Sequence, residues 1–215
     1  MGERAGTDFP KRSFGSDTYT GCQIKALGGK LPKLTTSPKD PDLSGLYRQG
    51  IQGEIVFDLI IAKDGHIRTL TVKTSSRSPE LDAIAVGLIK GGTFAPAADH
   101  DGKPVTVRAT LPVYFWKDSM IDPAYFKKPC RDFLIDAGWH ADHFPEEKPE
   151  NYRGWLLAKG AVVMIALRAG GLSAIGKTRE FPKTREFPKT PGYSEVIDAC
   201  KTTPDKPLFD VMTGK

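Results

Sequence analysis

The chain predicts an α+β fold: a three-stranded antiparallel sheet in the order 2-1-3 with one packed helix, over residues 31–117, followed by a small, mainly helical unit over 118–215. Three observations predict it. Glu54 to Ile61 and Val105 to Phe115 each alternate apolar and polar side chains at the period of a strand with one buried face. Between them, Ser78-Pro79 opens and Gly91-Gly92 closes a stripe of helical period. Beyond Lys117 helical periodicity takes over. Residues 1–30 read as an extension or linker.

In the first strand Ile55, Phe57, Leu59 and Ile61 share one parity. Asp64-Gly65 then supplies a hairpin dipeptide, since glycine enters positive φ without the steric cost of a β-carbon. The return strand, His66 to Thr74, is rich in Thr, Val, Leu and Ile, with Ile67 out of phase with Leu70 and Val72. That slip predicts a bulge near Arg68 or Thr69. Ser78 is the expected N-cap and Pro79 the first helical residue, where a missing N–H costs nothing. Leu81, Ile84, Ala85, Leu88 and Ile89 follow at i, i+3, i+4, i+7, i+8, the spacing of one apolar helix face. In the third strand Val105, Val107, Ala109, Leu111, Val113 and Phe115 face one way, and Thr106, Arg108, Thr110, Pro112 and Tyr114 the other.

A helix between the second and third strands makes those two parallel, which leaves room for the first strand between them. Pro112 places the third strand at the edge, because a proline removes a ladder donor. The expectation is an edge open to a partner, with binding residues Val105, Thr106, Val107, Arg108, Ala109, Thr110, Leu111 and Tyr114. Arg108, Thr110 and Tyr114, turned away from the helix, would set selectivity.

The pattern Arg48-x-Gly50-Ile51-x-Gly53-x-x-x-Phe57, Asp64-Gly65, Thr74-Ser75-Ser76, Leu81-Asp82-x-x-Ala85, Phe94-x-Pro96-Ala97, Gly102-x-Pro104-Val105 and Val113-x-Phe115 resembles the C-terminal domain of TonB proteins. Where that family carries an aromatic two residues before Phe94, this chain has Gly92. The resemblance implies a periplasmic module that receives an extended segment of an outer-membrane receptor as an added strand, in energised transport across the outer membrane. Strand addition takes its affinity from main-chain hydrogen bonds and its selectivity from alternate side chains. A second reading is an assembly protein of the envelope that binds another envelope protein and forms a homodimer through the same edge; sedimentation at several concentrations separates the two.

Helices are expected from Pro129, over Asn151 to Arg168, over Tyr193 to Lys201, and as a last turn over Leu208 to Met212. In the second of these, Tyr152, Trp155, Leu156, Lys159, Val163 and Ala166 form the expected stripe. Cys-x-Asp-Phe-Leu from Cys130, with Ala-Cys-x-x-x-Pro around Cys200, is similar to small periplasmic helical proteins of the HdeA type. That resemblance implies a Cys130–Cys200 disulfide and a free Cys22; three unrelated thiols are the alternative. Lys-Thr-Arg-Glu-Phe-Pro occurs twice in tandem between Lys177 and Pro188. The repeat reads as a surface loop at 177–190, where insertions are inexpensive, or as an arm presenting Phe181 and Phe187.

Of 215 residues, 31 are basic and 26 acidic, spread along the chain for a net charge of +5. Nucleic-acid binding normally requires a concentrated basic face, so no nucleic-acid partner is expected. The longest apolar run, Trp155 to Leu167, is broken by Lys159-Gly160 and falls short of the ~20 residues a bilayer requires. The residues to Lys30 lack the basic start and apolar centre of a signal peptide. A periplasmic location with its export signal or anchor outside this sequence is the expectation. His140 and His143 lie near Glu146 and Glu147 without a third ligand at diagnostic spacing, and read as solvated histidines at a helix end. No nucleophile elbow, phosphate loop or paired-cysteine zinc pattern occurs. The sequence therefore predicts no enzyme, no catalytic residue, no metal and no cofactor.

Overall fold

A computed structural model describes residues 18–169 and 191–214; the tandem repeat lies outside them. In chain order the elements are β1 (Thr18–Thr20), α1 (Gly21–Ala26), β2 (Lys33–Thr36), α2 (Ser44–Arg48), β3 (Gly53–Ile61), β4 (Ile67–Thr74), α3 (Pro79–Gly91), β5 (Thr93–Ala95), β6 (Ala97–Ala98), β7 (Pro104–Phe115), α4 (Cys130–His143), α5 (Arg153–Ala169), α6 (Tyr193–Thr202) and α7 (Leu208–Thr213). They divide into two compact units. One comprises the described residues up to Pro41 with Gly53–Tyr114, the other Asp42–Gln52 with the described residues from Phe115 onward.

The first unit is built on a sheet ordered β1-β7-β3-β4, with β6 also paired to β7. The strands expected from sequence are β3, β4 and β7, and β7-β3-β4 are neighbours. The expectation of three strands, all antiparallel, is corrected: the sheet has five, and β1 runs parallel to β7. A second sheet pairs β2 with β5 antiparallel. These additions were invisible to periodicity because two to four residues cannot establish a period.

In β3 Ile55, Phe57, Leu59 and Ile61 are buried, as the alternation requires. The β3–β4 register runs from Val56 opposite Thr74 to Ile61 opposite Ile67 and slips twice, at Lys73, between the Val56–Thr74 and Phe57–Val72 pairs, and where Ile60 faces Thr69 but Ile61 faces Ile67. At the second slip Arg68 is the extra residue, at the predicted bulge; the one at Lys73 was not expected. Gly65 closes the hairpin at φ +86, with its N–H donating to the Ala62 carbonyl at 2.9 Å. A β-carbon there would lie 2.0 Å from the Phe94 carbonyl oxygen, so both conformation and space require glycine.

Ser78 caps α3 by accepting from the Leu81 N–H at 3.3 Å. Leu81, Ala85 and Ile89 are the buried line of that helix. The Thr74-Ser75-Ser76 segment and Asp82 form one cluster: the Asp82 carboxylate accepts from Ser75 Oγ at 2.5 Å, Ser76 N at 2.9 Å and Ser76 Oγ at 2.8 Å. It ties the end of β4 to the first turn of α3, and the intervening Arg77 sits at φ 66.

The second unit is helical around Phe133, Trp155, Ala158, Val162, Val196 and Leu208. Cys130 and Cys200 are joined in a disulfide, and Cys22 is free and exposed. Backbone bonds reinforce that join, from Cys130 N to Lys206 O at 2.9 Å and from Leu208 N to Lys128 O at 2.8 Å. The expected stripe is borne out at Tyr152 and Trp155, both buried, and is corrected beyond them. Trp155, Ala158, Ala161 and Val162 are buried, whereas Leu156 is 52% and Val163 38% exposed. The two alanines, weak signals in a hydrophobic pattern, are the positions where a neighbour packs closely. Asp136 is wholly buried and pairs with Lys117 Nζ at 2.7 Å and with Lys128, which also pairs with Asp118. Burial raises the Asp136 pKa, against the pull of the two lysines.

Candidate functional site

The residues expected to bind a partner all lie on β7, and the sheet fixes their faces. Val105 and Val107 are buried, Ala109 and Leu111 half-buried, and Arg108, Thr110 and Tyr114 exposed. This is the alternation of a one-sided strand, with one departure: Thr106, on the polar parity, is only 1% exposed.

The departure coincides with a pairing that sequence reasoning missed. Thr18, Tyr19 and Thr20 lie parallel to β7 opposite Thr106, Val107 and Arg108. Ala97 and Ala98 pair with Val105 and Pro104. The expectation of an open edge along the whole of Val105 to Phe115 is thereby corrected. Among the described residues, the strand recorded beyond β7 ends at Arg108, and from Ala109 onward β7 has a neighbour strand only in β3. The signal for β1 was three residues of high strand propensity followed by a cap, too short to separate from loop.

Where β1 turns into α1, a groove of about 960 Å³ opens along β7. Ala109 and Leu111 line it from the strand, Leu31, Leu34 and Phe94 from the residues of and beside the small β2–β5 sheet, and Lys25 and Lys73 add positive charge. Leu34 and Phe94 are register partners. Gly92 permits this wall: a β-carbon there would meet Leu34 Cδ1 at 2.9 Å and the Thr36 carbonyl at 3.3 Å. The absence of an aromatic at position 92 therefore has a steric counterpart in β2.

Arg108 and Thr110 face away from the α3 side and are already engaged. Arg108 Nη2 donates to Asp58 at 3.0 Å, and Thr110 Oγ1 donates to the other Asp58 oxygen at 2.9 Å. The Thr110 hydroxyl first, and the Arg108 guanidinium next, hold the Asp58 carboxyl below the usual carboxylate range. A partner that used these two side chains for selectivity would compete with Asp58.

The two histidines expected to be solvated are half-exposed and engaged by neighbours. His140 pairs with Glu147 at 3.3 Å and stacks on Phe144, with Tyr152 also against its ring. His143 contacts the Trp139 carbonyl at 2.8 Å and stacks on the Trp139 ring. Burial of His140 lowers its pKa against the opposing pull of Glu147. Among the described residues, no three His, Cys, Asp or Glu side chains are grouped to hold a metal, and no helix is long and apolar enough to cross a membrane.

Residues 46–116 match the family model described as Gram-negative bacterial TonB protein C-terminal. The match covers a minority of the 215 residues and spans β3, β4, α3 and β7. No curated protein matches the chain. That stretch is therefore similar to the TonB C-terminal domain, and most of the helical unit of this chain lies outside the match.

Proposed function

We propose that the TonB-like domain is a periplasmic protein-interaction module, which takes an extended segment of a partner protein as an added strand on the outer side of β7. The observation that carries this reading is the geometry from Ala109 onward, where β7 has a sheet neighbour on one side and an apolar groove beside it. Such an edge offers unpaired main-chain groups as a template, and the alternation along β7 gives successive partner side chains different surroundings. Leu31, Leu34 and Phe94 would take an apolar side chain of the partner. The partner is an outer-membrane receptor segment or another envelope protein, and the context is energised transport across the outer membrane.

The test is a titration of the isotope-labelled chain with extended segments from outer-membrane receptors. Amide resonances of Ala109 to Val113 should shift first and most strongly, with those of α6, in the helical unit, unaffected. A response confined to the helical unit, or none along β7 with any receptor segment, would sink the reading.

A further inference from the structure

We propose that Thr18–Thr20 is a displaceable self-strand, which occupies the start of the docking edge and must leave before a partner strand can pair along the whole of it. The inference rests on strand addition to β7 and extends it: the chain carries its own competitor. Three observations lead to it.

The first is position. β1 lies on the outer side of β7, opposite Thr106, Val107 and Arg108, where an added strand covering the full edge would begin. The groove of about 960 Å³ starts where β1 ends, and Thr18, Tyr19 and Thr20 are among its lining residues. A partner in the groove therefore meets β1 end to end, and a partner paired from Thr106 onward replaces it.

The second is how β1 is held. None of its side chains is buried: Thr18 and Thr20 are half-exposed and Tyr19 is 36% exposed. Its attachment is the main-chain ladder plus a cap, in which Thr20 Oγ1 accepts from Gln23 N at 3.3 Å and Gln23 Oε1 accepts from Thr20 N at 2.7 Å. Peeling β1 away removes few main-chain bonds and uncovers one large side chain, Tyr19, which is already 36% exposed.

The third is the anchorage behind it. Ile24 in α1 is 1% exposed, and Lys30 and Ala98 exchange main-chain bonds at 2.8 and 2.9 Å. Gly29 fits this crossing only as glycine, since a β-carbon would stand 2.3 Å from the Ala98 carbonyl. When β1 lifts, these contacts keep it tethered beside the edge at high effective concentration, ready to return. The apparent partner affinity is then the intrinsic affinity scaled by the fraction of molecules in which the edge is bare.

The experiment uses the full chain, a Tyr19→Pro variant that cannot donate from position 19, and a synthetic peptide of residues 14–21 supplied in trans. Hydrogen exchange at the Thr106 to Arg108 amides facing β1 should accelerate in the variant, while β3 and β4 amides keep their protection and report an intact fold. Thr18→Pro serves as the second variant if the first perturbs α1. The peptide should shift β7 resonances in the variant at a concentration at least about tenfold below that needed with the native chain, since it no longer competes with a tethered strand. Equal binding to native chain and variant would overturn the self-strand while leaving strand addition in place. Binding to neither would overturn both. Unchanged exchange at Thr106 to Arg108 in both proline variants would overturn the self-strand alone.

Discussion

Gly65 and Asp58 are single positions on which the sheet depends in different ways. Gly65 combines φ +86 with a neighbouring carbonyl where a β-carbon would go. Gly65→Ala should therefore cost more than about 1 kcal/mol, the conformational penalty alone, read as a lower urea midpoint. Asp58 joins β3 to β7 through Arg108 and Thr110. Its folded pKa lies below its unfolded one, so its contribution is complete above the ordinary carboxylate range and fades as pH falls through the depressed value. Asp58→Asn should make stability less acid-sensitive below about pH 4, measured by urea unfolding at pH 7 and pH 3. Asp136 is a sharper case, because its buried carboxylate faces both Lys117 and Lys128. Asp136→Asn leaves a buried ammonium short of its counter-charge and should cost about 3–5 kcal/mol; unfolding at neutral pH with an unchanged midpoint would contradict this.

The individual elements differ in how much of their definition is local. α3 is defined almost wholly by its own residues: a serine cap, a proline at the first position, an i, i+3, i+4 stripe and a glycine stop. Ser78→Ala should lower stability by about 1 kcal/mol, seen as a lower melting temperature without a change of fold. β3 and β4 are similarly legible, even to the bulged Arg68, because their alternation runs long enough to show where it slips. β1, β2, β5 and β6 are the opposite case. Each has four residues or fewer and exists because a partner strand is already in place. α5 lies between these extremes: its helical period is plain in the sequence, but its buried face is legible only at its start, at Tyr152 and Trp155. Leu156 and Val163 look like core residues by hydrophobicity, yet Ala158 and Ala161 are the ones inside, where close approach favours small side chains.

The molecule as a whole comprises a sheet-based unit and a helical one, and the helical one carries a covalent staple within itself. A crosslink between residues 70 apart restricts the unfolded chain, and the chain-entropy model values a loop of that length at roughly 4 kcal/mol. All three tryptophans, Trp116, Trp139 and Trp155, belong to the helical unit, so their fluorescence reports its unfolding separately from the sheet. Replacing both Cys130 and Cys200 with serine should lower the denaturant midpoint of that signal, while amide exchange in β3 and β4 is retained. A coincident loss of both signals would show that the sheet depends on the helical unit for its stability. Sedimentation of the native chain at increasing concentration adds the test of edge-to-edge dimers.

The sequence by itself determined the β3–β4 hairpin, α3, the alternating faces of β7 and the resemblance that residues 46–116 bear out. These features are written in periodicity, caps and turn glycines, which act over a few neighbouring residues. Only the tertiary structure decided what lies against the far side of β7, which face of α5 is buried, and that Arg108 and Thr110 meet Asp58. Those outcomes depend on segments far apart in the chain meeting at ångström distances. A three-residue strand, a small alanine or a single carboxylate carries no pattern of its own until the rest of the fold puts a neighbour beside it.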